Sequence, residues 1–457
     1  MAEVETPPED ETPQNKQDRE DLERAHGPES DPEAREPFFK KLGPGLITGM
    51  ADDDPSGIGT YSVTGAQFGY LLLWLVPVCI PLMVAVQEMC ARVGLITGKG
   101  LAAVIKEHYS KWLLYSVVAM LVGANVINIY ADLNAMAAAA QMLMGLTQTV
   151  WLVVMTAVLV LAIILIPYVK YVRALKYLCL TMFAYVVVAF LPGLHIDYEA
   201  MAVHFAVPTW SFKPEFILAV VGFLGTTISP YLFFWQAGEV VEEEIAEGKA
   251  DQPGHRTTKV NKSEIRKMHT DTAIGMIASQ AIAFFIVVVA AATLHASGKT
   301  DIETAQDAAK ALLPLGKSAY LLFTLGIVST GMIGVPTLAG SAAYAISETA
   351  GWEYGLYRRF GRAKGFYLTI AAMVLIGFLL NFVHSISPVK GLLYSAALNG
   401  IVAPPLVLVL LLICNNRSIV RHRTNSMWSN LFGWATVVLM GIASAFLIYS
   451  VVTGQAS

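Results

Sequence analysis

Charged residues are scarce in this chain. Only 14% of its 457 residues are Asp, Glu, Lys or Arg, whereas 55% are hydrophobic. A soluble protein of this size needs more charge to cover its surface. Apolar runs of about 20 residues, long enough to cross a hydrocarbon core of about 30 Å, recur along the sequence. We therefore predict an all-α polytopic membrane protein, because a membrane β-barrel would show short alternating strands instead.

Cysteine is also rare, and its placement argues against a disulfide or zinc framework. The four cysteines are Cys79, Cys90, Cys179 and Cys414. All lie in or beside apolar segments and none has a CxxC spacing, so we predict small core residues. A signal peptide is not recognisable either, because residues 1–38 are acidic and poor in apolar residues. That composition predicts a disordered acidic tail.

The apolar runs predict eleven transmembrane helices. They cover roughly 43–69, 71–96, 113–145, 149–167, 174–193, 214–246, 266–295, 314–348, 366–384, 388–414 and 427–452. Loops on one side hold roughly four times as many Lys and Arg residues as loops on the other. This bias predicts a multi-pass protein of the cell membrane, with a cytoplasmic N-terminus, an external C-terminus and a flexible cytoplasmic loop at 248–262.

Two spans carry helix-breaking residues at mid-membrane. Span one contains Asp54-Pro55-Ser56-Gly57, and span six contains Thr226-Thr227-Ile228-Ser229-Pro230. Proline removes a backbone donor, and non-helical backbone at this depth is tolerated only beside a cavity or inside protein. Simple kinks between packed helices are the alternative. The separation of five spans favours a five-plus-five inverted repeat with a substrate site where the breaks meet.

The repeat defines the predicted domain organisation. A transporter core occupies 39–414, with inverted repeats at about 43–193 and 214–414. The segment 415–457 forms the eleventh transmembrane helix, and the tail at 1–38 is cytoplasmic.

Spans one and two resemble a known family. The stretch LGPGLITGMADDDPSGIGTYSVTGAQFGYLLLW at 42–74 resembles the first helix of the NRAMP metal-ion transporters, whose pattern is LGPG, DPGN, GAQFGY and LLW. QEMCARVGLITGKGLA at 87–102 is similar to the second helix of that family. The resemblance implies a LeuT-like fold with broken helices 1 and 6.

The departures from the family pattern concern the metal ligands. Gly57 stands where the family has Asn, and Ser229 stands where it has the Met ligand. Tyr231 and Gln236 replace two family histidines. In span three, Asp132 remains, but Ala135 replaces the second acid of a pair. These replacements resemble those of the NRAMP-related magnesium transporters.

The chemical type of the ligand atoms at these positions indicates which ion the site prefers. A charge at the bilayer centre costs at least about 3 kcal/mol, so Asp54 needs a cation. Without the thioether, the site has only oxygen donors, which suit Mg²⁺ and Mn²⁺. Gly57 in place of Asn is expected to open volume, and Mg²⁺ keeps several of its waters. We expect a site for a largely hydrated ion, formed by Asp54, Gly57, Thr226, Ser229, Asp53, Tyr231 and Asn399.

Several of these assignments leave alternatives open. Asp53 either bonds the water of the ion, or it caps a half-helix or faces a cavity, and Asp54 itself could be only an N-cap. Thr226 offers a backbone carbonyl or back-bonds to the preceding turn. For Asn399 an interhelical hydrogen bond is the favoured interpretation. The glutamates that end span six are expected to form a solvated helix end; they are Glu239, Glu242, Glu243 and Glu244. The roles of Asp52, Glu88 and Asp132 stay open.

Proton coupling is the main functional alternative. His269, His295 and His384 fall near span ends and none lies at mid-span. We therefore expect import of Mg²⁺ and Mn²⁺ by alternating access without proton coupling. The alternative is a proton-coupled Mn²⁺/Fe²⁺ transporter of the ordinary NRAMP type.

Two other functions fit the sequence less well. Asp54 would repel the carboxylate of an amino-acid substrate. A membrane-embedded enzyme could use Asp54 and Asp132, but no HExxH zinc signature is present. We therefore expect no enzyme activity, no cofactor and no nucleic-acid partner. The expected partners are divalent metal ions and the lipid bilayer, and the chain is expected to function as a monomer.

Overall fold

The computed structural model describes residues 44–166, 174, 177–256, 258–300, 317–383 and 388–453. Helices make up almost all of these segments. They are α1 (Pro44–Asp52), α2 (Pro55–Phe68), α3 (Leu75–Thr97), α4 (Leu101–His108), α5 (Lys111–Met144), α6 (Gln148–Leu165), α7 (Ala184–Ala189), α8 (Tyr198–Ala206), α9 (Pro214–Thr227), α10 (Pro230–Ala246), α11 (Lys262–Ala290), α12 (Lys317–Ala350), α13 (Lys364–Leu380), α14 (Pro388–Asn415), α15 (Arg417–Val420) and α16 (Met427–Val452). The predicted tail at 1–38 and His384 lie outside the described residues.

The apolar helices reproduce the predicted spans. Within the described segments, eight helical stretches are long and apolar enough to cross a membrane, with α9 and α10 together forming one of them. Two shorter apolar helices, Tyr177–Ala189 and Lys364–Leu380, account for spans five and nine. The pair α1 and α2 accounts for span one. The predicted all-α polytopic architecture with eleven spans is therefore confirmed.

Both predicted helix breaks are present. In span one, α1 ends at Asp52 and α2 begins at Pro55, with Asp54 extended at φ −65° and ψ 172°. In span six, α9 ends at Thr227 and α10 begins at Pro230, with Ser229 extended at φ −78° and ψ 128°. A proline occupies the first position of each second half-helix, where its missing N–H costs nothing.

The broken helices lie at the centre of the bundle. Of the most apolar 18-residue stretch in α9 and α10, 94% of the residues are buried, compared with 33% for the corresponding stretch in α16. The half-helix α2 packs against α9, α11 and α14, and α10 packs against α1, α3 and α12. The last helix, α16, covers α14, α3 and α9 from outside. This arrangement brings the two breaks together in the interior.

A glycine contact brings α1 against α11. A Cβ atom at Gly49 would lie 2.3 Å from the backbone of Gly275, and one at Gly45 would lie 2.7 Å from that of Thr272. Such backbone approach is possible only for small residues and is typical of membrane helix pairs. Asp271 of α11 also accepts a hydrogen bond of 2.7 Å from the N–H of Gly45. The first half of span one is therefore held directly by span seven.

Glu88 in α3 has a structural role that its sequence position did not reveal. Its carboxylate forms an ion pair with Arg92, and it accepts hydrogen bonds from Arg92 Nη2 at 3.2 Å and from Ser429 Oγ at 3.1 Å. Arg92 in turn donates to Asn425 Oδ1 at 2.6 Å. This buried network ties span two to the start of span eleven.

The expectation of a solvated end for span six is wrong for Glu242. This side chain is buried, with 2% exposure. It accepts from Tyr344 Oη at 2.7 Å and from the N–H groups of Leu356 and Tyr357 at 2.6 and 2.9 Å. Tyr344 belongs to α12, and the loop between α12 and α13 supplies the two N–H donors. Loop packing of this kind leaves no periodic signal in the sequence. Glu239 and Glu244 are buried as well.

The segment 248–262 is also more ordered than expected. Two short antiparallel strands, β1 (Ala250–Gln252) and β2 (His255–Arg256), form a hairpin within it. Gly254 adopts φ +83° at the turn and donates its N–H to Gly98 O at 2.7 Å. The turn chemistry of Pro253-Gly254 therefore orders part of the loop.

The contact between α1 and α11 predicts a sharp position dependence for glycine substitutions. Gly49→Ala should lower the stability by about 1–3 kcal/mol, because the methyl group has no space and the backbones must separate. Gly123→Ala in α5 is the matched control, because a Cβ atom there meets nothing within 4 Å. Thermal unfolding in detergent measures both variants. Equal midpoints for the two variants would contradict this packing.

Candidate metal-ion site

Asp54 caps the second half of span one and faces the interior. Its Oδ1 atom accepts from the N–H of Gly57 at 2.8 Å and from Ser56 Oγ at 2.6 Å. Its Oδ2 atom accepts from Tyr231 Oη at 3.2 Å. The side chain is therefore the N-cap of α2, as one interpretation of the sequence proposed. A cap does not by itself balance the charge of a carboxylate that is 1% exposed.

The two breaks touch at Gly57 and Thr226. A Cβ atom on Gly57 would lie 3.1 Å from Thr226 Oγ1 and 3.1 Å from the carbonyl oxygen of Asp52. Tyr231, at the start of α10, also crosses to span one and donates to Ala51 O at 2.8 Å. The predicted meeting of the half-helices is thus present. The expected extra volume beside Gly57 is absent, because these two oxygens occupy it.

Asp132 completes the site, although its sequence position left its role open. Its Oδ1 atom accepts from the N–H of Ser56 at 3.0 Å, and its Oδ2 atom has no hydrogen-bond partner in the described structure. Gly334 of α12 lies against both acids, since a Cβ atom there would be 2.7 Å from Asp54 Cβ and 3.7 Å from Asp132 Oδ2. Asp54, Asp132 and Gly334 come from three different spans, so no local pattern joins them.

Asp52 and Asp53 form the other acidic part of the break. Asp52 Oδ2 lies 3.4 Å from Ser279 Oγ of α11, whereas its Oδ1 has no partner among the described residues. Both carboxylate oxygens of Asp53 are also without a hydrogen-bond partner there. The two residues are fully buried. Sequence reasoning placed Asp53 near the ion, and the free oxygens fit either water around an ion or a cavity wall.

A cluster of buried carboxyl groups is the main chemical feature of the site. Four carboxyl groups at or beside the break of span one are at most 1% exposed; they are Asp52, Asp53, Asp54 and Asp132. None of them takes part in the ion pairs found within the described segments. Buried charges normally require a partner of opposite sign. Such a cluster therefore favours binding of a cation.

Ser229 does not present its hydroxyl to the break in this conformation. The Oγ atom donates back to the carbonyl oxygens of Gly225 at 3.0 Å and of Thr226 at 2.7 Å. Back-bonding of this kind is common for serine in helices. The Thr226 carbonyl, which was expected to face the ion, is consequently the acceptor of this bond. A ligand role for Ser229 requires rotation of its side chain, whereas the Thr226 carbonyl oxygen keeps a second lone pair.

Asn399 of α14 lies beside the break of span six. It is 1% exposed, and neither polar atom of its side chain has a partner among the described residues. The favoured expectation of an interhelical hydrogen bond is therefore wrong. The neighbouring Gly400 packs on the backbone of Gly225, whose added Cβ atom would lie 2.3 Å from Gly400 N. A side chain without a partner at this place fits the alternative interpretation, in which Asn399 lines the pathway.

The donor chemistry suits an ion that retains water. Within the described segments, no group of three or more His, Cys, Asp or Glu side chains is arranged to enclose a metal ion. The break instead offers the Asp54 and Asp132 carboxylates and nearby hydroxyl groups. Magnesium sites commonly use one or two carboxylates and keep several waters. His295 and His269 make contacts elsewhere, since His295 contacts Ala66 O at 2.9 Å and His269 lies 3.5 Å from Glu88.

The chain matches one protein family, and the similar proteins belong to the same kind of transporter. The family described as "Natural resistance-associated macrophage protein-like" matches residues 45–450. A divalent metal cation transporter MntH of Listeria welshimeri is 24% identical over 435 residues, covering 91% of this chain and 92% of the relative. The corresponding MntH of Pectobacterium carotovorum is 25% identical, covering 90% and 95%.

Solved structures agree on the fold. A manganese transporter of Eremococcus coleocola, in complex with an aromatic bis-isothiourea compound, has a TM-score of 0.69 at 17% identity, covering 93% of this chain and 89% of that one. Mhp1, a nucleobase-cation-symport-1 family transporter, has a TM-score of 0.52 at 14% identity, covering 92% and 96%. The chain therefore has the LeuT-like fold that the broken helices predicted.

Replacement of Asp54 separates a capping role from ion binding. Asp54→Ala should abolish metal binding, because it removes a carboxylate that faces the interior, and should cost about 1 kcal/mol as a lost cap. Asp197→Ala is the matched control, since Asp197 caps α8 through the N–H of Ala200 at 2.9 Å on the exposed surface. Titration calorimetry with Mn²⁺ measures both. Intact binding in Asp54→Ala would show that Asp54 is only a cap.

Proposed function

Because the chain belongs to the Nramp family, we propose that it is a membrane transporter for divalent metal ions and not an enzyme. The observation that carries the proposal is the buried pair of Asp54 and Asp132 at the meeting point of two broken helices. In transporters built from inverted repeats, substrates bind where such helices meet. Rocking of one part of the bundle against the other then exposes the site to each side in turn.

Two lines of support bear on the substrate. The relatives are named as divalent metal cation and manganese transporters, which supports Mn²⁺ directly. Magnesium rests on the donor chemistry alone, because the site has oxygen donors and Ser229 stands at the position of the family's thioether. The comparisons therefore favour manganese over magnesium. We propose that the chain carries Mn²⁺ and, through its oxygen donors, also Mg²⁺.

Import without proton coupling is the energetic part of the proposal. Two positive charges that cross a potential of 100 mV gain about 4.6 kcal/mol, which is sufficient to drive uptake. No described histidine lies at the break, and Tyr231 and Gln236 stand at the positions of family histidines. These features support uncoupled uptake.

A proton-coupled Mn²⁺ transporter is the second candidate, and Asp132 favours it. This acid lies beside Asp54 with one oxygen that has no partner in the described structure, so it could accept a proton when a metal ion binds. The named relatives support this ordinary Nramp function at least as well as the magnesium proposal. Coupling and selectivity must therefore be measured together.

The setting of the transporter is part of the proposal as well. The distribution of basic residues supports a cell-membrane protein with a cytoplasmic N-terminus and an external C-terminus. The site lies within one chain, which supports function as a monomer.

Liposomes that contain the purified chain and a pH dye distinguish the two candidates. At a membrane potential set negative inside, we expect Mn²⁺ and Mg²⁺ to enter without acidification of the lumen. Liposomes with Asp54→Ala protein provide the leak control. Acidification that depends on Mn²⁺, together with exclusion of Mg²⁺, would establish the proton-coupled candidate and contradict our proposal.

A single replacement at position 229 tests the selectivity argument. Ser229→Met should raise the ratio of Mn²⁺ to Mg²⁺ uptake by about tenfold, because a thioether binds the softer ion better. Position 57 is a poor partner for this test, because a side chain there meets Thr226 and the Asp52 carbonyl. Ser395→Met is the control, since Ser395 is buried and back-bonds to Leu392 O at 2.8 Å in the same way. An unchanged ratio in Ser229→Met would remove residue 229 from the site.

A further inference from the structure

A groove lies on the surface of the bundle between α9, α14 and α16. Its volume is about 460 Å³, which falls within the range of roughly 300–1,000 Å³ that is typical of pockets for organic ligands. Leu218 of α9, Ile401 of α14 and Ile448 of α16 contribute to its lining, and we call the space that they define the lateral groove. None of the residues assigned to the candidate metal-ion site lines it.

The lining of the lateral groove is almost entirely apolar. Among its described lining residues, Glu215 is the one charged side chain, and the hydroxyl of Tyr394 is the one other polar side-chain group. Several of these side chains are also widely exposed, since Ile448, Val451 and Tyr394 are 47%, 60% and 51% exposed. Because the three helices belong to membrane spans, this surface faces hydrocarbon and not water.

Packing, and not exclusion of water, decides what fills a groove at this depth. Lipid tails are about as apolar as leucine side chains, so no hydrophobic driving force acts between apolar surfaces inside a bilayer. An empty groove still loses the dispersion contacts that its lining atoms would otherwise make. A flexible hydrocarbon chain restores those contacts, and the lipid of the bilayer supplies one.

The lateral groove ends at one surface of the membrane. Pro214 begins α9 and Val452 ends α16, and both residues line the groove, as does Tyr394 near the start of α14. Tryptophan and tyrosine are enriched at the boundary between membrane and water. Trp210, in the segment before α9, is 50% exposed, similar to Tyr394. A lipid chain in the groove therefore has its headgroup beside the start of α9.

Two opposite charges lie at the start of α9. Lys213 is the N-cap residue and Glu215 lies in the first turn. Both side chains are exposed, and neither takes part in an ion pair between described residues. The helix dipole favours an acid in the first turn, but it does not explain why this acid lines an apolar groove. A headgroup with a phosphate and a primary ammonium complements the two charges.

A second copy of the chain fits the lateral groove less well than a lipid does. A two-fold interface places the same surface of both copies together, so it would bring one Glu215 towards the other without a cation. The exposed face of α16 also continues beyond the groove, since Leu439 and Ile442 are 45% and 64% exposed. A continuous apolar face of this kind is expected for a helix that contacts lipid.

One wall of the lateral groove is joined to the break of span six. Ala397 and Leu398 line the groove and directly precede Asn399. A separate hydrophobic cluster joins the same three helices through Val221 of α9, Ala397 of α14 and Leu447 of α16. A lipid in the groove therefore packs on α9, which ends at the break, and on α14, which carries Asn399.

We propose that the lateral groove binds one phospholipid whose headgroup carries a primary ammonium, as in phosphatidylethanolamine. An acyl chain of the lipid fills the groove, the ammonium pairs with Glu215, and the phosphate pairs with Lys213. The site does not rest on the proposed transport function, because none of the residues around the breaks takes part in it.

Native mass spectrometry of the full-length chain in detergent tests the headgroup assignment. The added lipids are phosphatidylethanolamine and phosphatidylglycerol with identical acyl chains, because phosphatidylglycerol keeps the phosphate and lacks the ammonium. We expect one phosphatidylethanolamine per chain, bound about fivefold more tightly than phosphatidylglycerol. Glu215→Gln should abolish the preference, since the amide keeps the size and loses the charge. Glu199→Gln is the matched control, because Glu199 lies exposed in the first turn of α8, outside the groove lining.

Two further variants separate the headgroup from the acyl chain. Glu215→Lys should reverse the preference in favour of phosphatidylglycerol, a gain of binding that misfolding cannot imitate. Ile448→Trp narrows the groove and should weaken the binding of both lipids by about tenfold. Leu439→Trp is its control, because Leu439 is 45% exposed on the same helix, compared with 47% for Ile448, and lies outside the groove lining.

Three results would overturn the proposal. The first is equal binding of the two lipids to the wild-type chain, or a preference that persists in Glu215→Gln. The second is lipid binding that Ile448→Trp leaves unchanged, which would place the lipid elsewhere. The third is a dimer without bound lipid that Ile448→Trp dissociates, which would make the groove an interface between copies. No metal ion is present in these measurements, so a failure of Mn²⁺ transport would contradict the proposed function and leave the lipid site intact.

Discussion

The central constraint on this structure is a group of four buried carboxyl side chains. None of them forms an ion pair within the described residues. Asp52, Asp53, Asp54 and Asp132 lie where two helices are interrupted, and protein groups satisfy only some of their oxygens. Isolated charges at such depth are expensive, so an arrangement of this kind persists when a cation offsets the cost during part of the cycle. The breaks, the Gly57 to Thr226 contact and the Tyr231 bridge all position these acids.

The central position of the acids explains why the surrounding packing is so close. The backbone of α1 touches that of α11 through glycine, and Gly334 of α12 leaves just enough space for Asp54. Small residues at these points let three spans approach the break. Glu242 connects the C-terminal part of α10 to Tyr344 of α12 through one hydrogen bond and to the loop before α13 through two. Movement of α10 must therefore involve that loop, and this contact links the site to the proposed alternating access.

The sequence predicted the features that depend on local chemistry. Hydropathy located the eleven spans, and Pro55 and Pro230 located the breaks, because a missing N–H acts on the nearest turn. Features that depend on contacts between residues far apart in the sequence were either not predicted or predicted wrongly. Asp132 meets Ser56 across 76 positions, and Glu242 meets Tyr357 across 115. The packing at Gly57 and the rotamer of Ser229 depend on neighbouring backbone, which no residue pattern encodes.

The most direct test of this account is the position of a bound ion. Anomalous diffraction at the manganese edge, from crystals of the full-length chain grown with Mn²⁺, locates the metal independently of transport. We predict a peak between the carboxylates of Asp54 and Asp132, at the junction of the two breaks. Full occupancy at a different place, with no peak at this junction, would contradict the account.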